Sequence, residues 1–467
     1  MDDHHYDIIC VGAGVVGCAA AKIFGSDNRR VLVLERDLSE PDRIVGELMQ
    51  PGGMDALKSL GLDDCIKDID AVPCFGYSIY RHGEFIHVPY PSIPDGADDE
   101  DTPKKKAMGM SFHHGRFIQK LRHAAKNTSN VTVMEMAVNS LIRKEGQEQV
   151  IGVAAQEKNS DKQVEFYAPL TIVADGIFSK FRKEFTELKP DVRSNFVGLI
   201  ASDLKLSTPE HGFVAIVDPS PVLMYQIGSN ETRVLVDVPV PVPSNASGDL
   251  KRHLQEKIVP QLPESLQPAL YRALEDQPLR TMPNGFLPPF ANQNLGVIIL
   301  GDAMNIRHPL TGGGMTVALQ DVILLQQLIN QSTIPDLQAS DDLIMQAIDC
   351  FHWKRKHHAT PINILAMALY RIFAAGSNRA LIQLQRACVG YFQLGGQCLE
   401  GPVGLLSGLT REVLTLIYHF YGVALYAVYQ QWHSSEDNLW TCLVNSILLL
   451  YTACITIFPY IWSELKL

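Results

Sequence analysis

Residues Tyr6–Glu35 read YDIICVGAGVVGCAAAKIFGSDNRRVLVLE. The run Asp7–Val11 predicts a buried strand that feeds directly into Gly12-x-Gly14-x-x-Gly17. A small-residue helix follows (Cys18, Ala19, Ala20, Ala21), and a second apolar run, Val31–Leu34, ends in Glu35. In a strand–turn–helix setting each part has a task. Gly12 permits the tight turn, Gly14 lets backbone amides approach a pyrophosphate, and Gly17 allows close helix–strand packing. The helix N-terminus then presents partial positive charge to phosphate, and Glu35 stands where an acidic residue reaches a ribose hydroxyl. The stretch predicts a dinucleotide-binding domain of α/β class.

Composition bounds the rest. A chain of 467 residues has room for two or three domains with large cores. Its 40 Lys and Arg against 51 Asp and Glu, a formal charge of −11, argue against a nucleic-acid partner. The nine cysteines include no CxxC pair, which points to reduced thiols and a cytosol-facing body. The start, MDDHHYDIIC, is too short and acidic for a signal peptide. From Leu414 the chain turns strongly apolar: Leu414–Tyr429 and Leu439–Trp462 carry no formal charge, with HSSEDN between them. The second stretch is long enough to cross a bilayer, the first is short for it. Trp432, Trp440, Tyr460 and Trp462 are expected at the lipid–water interface. Whether the pair spans the bilayer or lies in one leaflet is open at this level.

Along the chain, Gly76–Pro91 predicts a hairpin turning at His82-Gly83, and Asp95–Lys106 a mobile charged loop. His113–Ala125 has helical periodicity, Val131–Val138 and Gln149–Ala155 read as strands, and Leu170–Ala174 is an apolar strand ending at Asp175-Gly176. Alternating runs from Ser194 to Val238 predict a mostly antiparallel sheet. Gly296–Leu300 is a further buried strand, running into Gly301-Asp302, and Gly312, Gly313 and Gly314 precede an amphipathic helix from Met315. That is a second glycine loop facing anions at a helix N-terminus. From Trp353 the chain reads as helical, with one helix over Pro361–Phe373, and the run Lys354–His358 is expected to be a solvated face or a lipid-headgroup contact. His113-His114 lacks a partner at metal-ligand spacing. These readings place a discontinuous nucleotide-binding domain at 1–75, 111–180 and 286–350, a substrate domain at 76–110 and 181–285, and a helical membrane-associated region at 351–467.

GAGVVG, ADG at Ala174–Gly176, and GD at Gly301-Asp302 with its glycine loop together resemble the flavoprotein monooxygenases of the p-hydroxybenzoate hydroxylase fold. Longer stretches narrow the resemblance to the squalene monooxygenase (squalene epoxidase) family: ERDLSEPDRIVGELMQPGG, SFHHGRF, ADGIFSKFRKEF, SPVLMYQI, SNETRVLVD, LPPF, GDAMNIRHPLTGGGMTVAL and YFQLGGQCLEGPVGLLSGL. The resemblance implies a Rossmann-type FAD-binding domain interleaved with the antiparallel substrate domain, and a C-terminal helical membrane-associated domain. It implies FAD contacts at Val15, Val16, Glu35, Arg36, Arg43, Leu48, Arg122, Val138, Asp302 and Met315, with Asp175 beside the pyrophosphate. The helix after Gly313-Gly314 would face the flavin pyrimidine edge. A substrate pocket is implied around Tyr77, Tyr225, Pro309, Leu310, Phe392, Leu405 and His419. The hydrophobic N-terminal extension of the animal enzymes is not expected here, so membrane attachment would rest on the C-terminal pair.

The implied reaction captures O2 on reduced FAD as a C4a-hydroperoxide and passes one oxygen to the terminal alkene of squalene, giving (S)-2,3-oxidosqualene for sterol or triterpenoid synthesis. No second GxGxxG follows a strand, so NADPH has no evident domain of its own; the resemblance implies that its electrons arrive through an NADPH–cytochrome reductase on the endoplasmic reticulum membrane, cytosolic face, with microsomal membrane or lipid droplets as related sites. Such a site needs flavin placement and dryness rather than a nucleophilic triad. Two side chains carry alternative readings: Tyr77 orients the flavin edge or merely packs in a strand, and His419 lines a tunnel mouth or is a core histidine satisfied by one hydrogen bond. Two other functions stay open: another FAD-dependent isoprenoid oxidoreductase, and a non-catalytic binding protein like the Rab escort and dissociation-inhibitor proteins.

Overall fold

The computed structural model describes residues 4–94, 104–158, 162–434 and 438–465. Strand Ile8–Val11 is buried at every position, because strands flank it on both edges and the helix Val15–Ser26 packs against it, which suits a continuous apolar run. It pairs in parallel with Val31–Glu35 on one side and Leu170–Val173 on the other; Val297–Ile299 adds to the latter, so Val11, Val173 and Ile299 stand in register. Beyond Val31–Glu35 lie Val131–Arg143, Val150–Glu157 and Gln163–Tyr167, completing a seven-stranded sheet. Val131–Arg143 extends past the expected Val138 because it changes neighbours: Val131–Glu135 run parallel to Val31–Glu35, and the remainder turns antiparallel to Val150–Glu157.

A second seven-stranded sheet orders Arg280–Phe286, Asp191–Ser202, Glu231–Pro239, Val222–Gly228, Gly212–Ala215, Gly76–Arg81 and Glu84–Pro89. It is antiparallel except where Gly212–Ala215 meets Gly76–Arg81. Its two faces separate by the period of two: Phe196, Leu223, Tyr225 and Leu235 join one core with the C-terminal helices, while Val197, Met224, Val234 and Val236 join another with the helical segment before Asp276. The buried pair Glu47–Arg233 ties this sheet to the nucleotide-binding half, with Nε and Nη2 of Arg233 donating at 2.7 and 2.9 Å to the two carboxylate oxygens. Burial alone would lower the Arg233 pKa; the facing carboxylate reverses this and holds the guanidinium above its ordinary value, while burial raises the Glu47 carboxyl against the pull of Arg233.

The C-terminal layer holds helices Asp341–Phe373, Arg379–Gln393, Gln397–Leu406, Val413–Ser434 and Leu439–Leu465. Four expectations need correction. The helix start at Pro361 falls inside Asp341–Phe373, where burial of Phe351, Ala359, Ile362 and Ile364 outweighs the hydrogen bond that proline removes. Lys104–Lys106 form a strand with Ser92–Pro94, since backbone pairing is indifferent to side chains that point outward; the rest of the expected charged loop lies outside the described residues. Within Lys354–His358, Arg355 and His358 are buried rather than solvated, because Asp321 faces them. Tyr460 is buried against Phe286, whereas Trp432, Trp440 and Trp462 are exposed. Replacing Glu47 with Gln, which leaves Arg233 buried and unneutralised, should cost about 3–5 kcal/mol in urea unfolding, while the double change to Met and Leu recovers most of it.

Candidate active site

The carboxyl ends of three adjacent parallel strands each carry one motif, so the sheet order itself brings GAGVVG, ADG and GD together. Such an edge is where open α/β sheets bind ligands. The contacts there are backbone-close. A Cβ on Gly17 would lie 1.9 Å from the Gly12 carbonyl oxygen, and one on Gly12, whose φ is +103°, would lie 2.6 Å from that of Ala174. One on Gly301 would meet Val16 at 2.9 Å. Gly14 and Gly314 differ: nothing lies within 4 Å of their Cβ positions, so they face open space. Gly313 is closed by Ile362 at 2.5 Å.

Side chains then fix the loops. One Glu35 oxygen accepts from Ala13 N at 2.8 Å, and Arg122 donates from Nε to Ala13 O at 3.1 Å and from Nη1 to Ser39 O at 2.8 Å. Arg182 staples the second motif to the third: Nε donates to Ala303 O, and Nη2 to Ile177 O and Asp302 O, each at 2.8 Å. Sequence reading passed over Arg182, although it lies in the ADGIFSKFRKEF stretch. Asp175 accepts from Lys180 N through one oxygen at 2.8 Å, while its other oxygen is buried with no partner. The Asp302 carboxylate is open to the cleft yet surrounded by protein; that burial raises its pKa against the opposing charges of Arg307, Arg43 and Arg182. Val15 and Val138 are half-buried against the nucleotide-side core, Met315 is within it, and Arg36 and Arg43 are exposed.

Next to this edge, Gln50 is a fully buried hub that sequence reading also passed over. Its amide nitrogen donates to the Tyr77 hydroxyl and, at 2.7 Å, to Thr311 O; its amide oxygen accepts from Tyr90 at 2.6 Å. A buried amide with each group paired is rigid. Burial pushes the Tyr77 and Tyr90 phenols up, so both remain protonated. The hub joins the Leu48 segment and the 309–311 turn to the substrate sheet. Leu48, Tyr77, Tyr225 and Leu310 share one apolar core, with Phe392 packed against it, and Pro309 is half-buried beside Leu310. Leu405 belongs to a neighbouring cluster with Ile364, Leu416 and Tyr460. His419 is buried, packs on Gly401 and makes one hydrogen bond, at 3.1 Å, with the Tyr391 hydroxyl.

Residues 167–442 match the family model for squalene epoxidase. The chain is 44% identical to squalene epoxidase erg1 of Schizosaccharomyces pombe over 98% of either chain. It is 46% identical to squalene monooxygenase of Mus musculus over 98% of this chain and 78% of that one. This chain belongs to the squalene epoxidase family. Among solved structures, a flavoprotein/dehydrogenase from Cytophaga hutchinsonii superposes with a TM-score of 0.69 at 14% identity, covering 92% of this chain and 100% of that one, a likeness of fold alone.

The squalene epoxidase edge fits a flavin dinucleotide on its own geometry: two glycines face open space, one Asp175 oxygen is buried and unpartnered, and the Asp302 carboxylate faces a cleft. Two substitutions separate ligand clearance from folding. Gly14→Ala should leave the melting temperature of the ligand-free protein unchanged and weaken FAD binding about tenfold, whereas Gly17→Ala should lower that temperature itself by overpacking, about 1–3 kcal/mol. Thermal melts with and without added FAD distinguish them.

Proposed function

We propose that this chain is an FAD-dependent squalene monooxygenase that epoxidises the terminal double bond of squalene to (S)-2,3-oxidosqualene in sterol or triterpenoid synthesis. The carrying observation is that three nucleotide-binding motifs converge on one sheet edge, next to an apolar core pinned by the Gln50 hub, in a chain of the squalene epoxidase family. The balance is simple: one atom of O2 replaces the alkene π bond with two C–O bonds, and the other leaves as water with two electrons and one proton drawn from NADPH and a second proton from the medium.

Bound FAD supplies the electron store and the activation of O2. Gly12, Gly14, Val15, Val16 and Gly17 would cradle its pyrophosphate with Asp175 alongside, Glu35, Arg36, Arg122 and Val138 would hold its adenine half, and Arg43, Leu48 and Asp302 would lie toward the ribityl chain and the ring. Gly313, Gly314 and Met315 open a helix whose partial positive charge suits a reduced ring. Gln50 holds the Tyr77 hydroxyl at one orientation beside the 309–311 turn. Tyr225, Pro309, Leu310, Phe392, Leu405 and His419 would line the hydrocarbon site. Burying so apolar a substrate gives affinity at about 25 cal/mol per Å2, and the same surface excludes water.

The two C-terminal helices are each long and apolar enough to cross a membrane. Their packing supports insertion into a single leaflet. Along Leu439–Leu465, Cys442, Leu449, Ala453, Ile457 and Tyr460 are buried against the body, and Leu443, Ile447, Tyr451, Phe458 and Trp462 are exposed. Arg371 donates to Ile455 O at 3.2 Å and Arg193 to the Tyr460 hydroxyl at 3.3 Å, charges that a hydrocarbon core would reject. The reading therefore places the protein on the cytosolic face of the endoplasmic reticulum membrane, with a membrane-bound NADPH–cytochrome reductase as electron donor.

Incubating the protein with FAD, NADPH, O2, a microsomal reductase and squalene should yield a product one oxygen heavier, epoxidised at the terminal double bond, by mass spectrometry. Squalene returned unchanged by a protein holding reducible FAD would overturn the substrate assignment. Changing Ile447, Tyr451 and Phe458 together to Ser should abolish flotation with liposomes while leaving FAD bound.

A further inference from the structure

The polar residues buried between the long helix and the C-terminal helix are used by none of the chemistry above. Arg355 is 1% exposed and lies against Asp321, donating from Nε at 3.1 Å and Nη2 at 2.9 Å, and His358 Nε2 meets the same carboxylate at 2.8 Å. One turn on, the chain reaches a second buried carboxylate, Glu464, in the last turn of the membrane-facing helix and 2% exposed. Thr360 Oγ1 donates to one of its oxygens at 2.9 Å and Asn363 Nδ2 to the other at 2.8 Å. Asn363 also donates to Asn305 Oδ1 at 3.0 Å, and that same oxygen accepts from Arg307 Nη2 at 2.7 Å. Asn305 in turn donates to Leu287 O at 2.8 Å. Asn305 and Arg307 sit in the loop that carries Asp302.

Charge counting shows what this arrangement does. Asp321 is neutralised by Arg355 in direct contact. Among the described residues Glu464 is hydrogen-bonded by Thr360 and Asn363, with the charges of Arg355 and then Arg307 acting on it from further off, while Arg307, buried with Nε and Nη1 unpartnered, feels the carboxylate of Asp302 most and that of Glu464 less. A continuous run of hydrogen bonds, Glu464 to Asn363 to Asn305 to Arg307, therefore links the last helix to the cofactor loop. Buried polar groups left without partners are costly, so displacing one end of the run is felt at the other.

We propose that Glu464 is a positioning residue for the cofactor loop: through Asn363 and Asn305 it sets Arg307 and the loop carrying Asp302, so that FAD is held fully only when the C-terminal helix is seated on the body. This rests on the FAD reading above. It makes cofactor retention sense the seating of the membrane-facing helix.

The test is FAD titration of the apoprotein of the full chain, read by flavin fluorescence and by the fine structure of the bound-flavin absorption band. Glu464→Ala should raise the Kd for FAD about tenfold and blur that band. Glu464→Gln keeps the shape and an acceptor for Thr360 or Asn363 and should give an intermediate Kd, which also covers failure of the alanine variant to fold. Phe458→Ser, on the exposed face of the same helix, should weaken liposome binding and leave the Kd unchanged. An unaltered Kd and spectrum in Glu464→Gln and Glu464→Ala, with only a lower melting temperature, would overturn the proposal and leave a plain helix-docking contact. If the unaltered protein takes up no FAD, the functional reading falls and the proposal falls with it.

Discussion

At the carboxyl edge of the parallel sheet, backbone meets backbone with no side chain between. The first helix rests on the turn before it because Gly17 has no Cβ to strike the Gly12 carbonyl, and Gly12 in turn lets the strand Leu170–Val173 deliver Asp175 alongside. Gly301 admits Val16, so the third motif closes on the same helix. Everything that binds the dinucleotide is referred to this contact, and Arg182 locks it by bonding carbonyls of two motifs at once. Adding one methyl group at Gly12 or Gly17 would force backbone apart at the contact on which the loops rest.

The second half of the site depends on polar fastening inside an apolar layer. Gln50 pins Tyr77, Tyr90 and the 309–311 turn, and Glu47, three residues earlier, pairs with Arg233 of the substrate sheet. One short segment thus positions the sheet, the turn and the cofactor side together. Its geometry is over-determined, as a region must be if it is to hold a flexible hydrocarbon near a fixed reacting centre. The same logic extends to the C-terminal helices. Their outward faces suit lipid, but their inward faces end in Glu464, whose partners lead back to the loop of Asp302.

Much of this was legible before any coordinates. GAGVVG with Glu35 marked the nucleotide half, because glycines at a strand end and an acid after the next strand have few other uses; ADG and GD joined it through their resemblance to the flavoprotein monooxygenases. The alternation from Ser194 to Val238 gave the second sheet, and the charge-free stretches after Leu414 gave the apolar helices. Single side chains were harder. Arg182 and Gln50 are ordinary in sequence and acquire their roles only from which carbonyls and hydroxyls surround them. Lys354–His358 looked solvated because Asp321, the partner of Arg355 and His358, lies on a different helix, and Tyr460 looked interfacial because an aromatic near a helix end gives no sign of which face it lies on.

The sequence by itself determined most of the apolar and alternating strands, where the glycine turns fall and which helices are apolar, since these depend on local backbone freedom and on periodicity along a few residues. Tertiary structure alone decided that Ile8–Val11 lies between Val31–Glu35 and Leu170–Val173 with Val297–Ile299 beyond, and so that three motifs separated along the chain share one edge. It also decided which charges are buried and with whom. Long-range pairing is set by the packing of whole elements, and the free energy of a buried charge depends on neighbours that no local window contains.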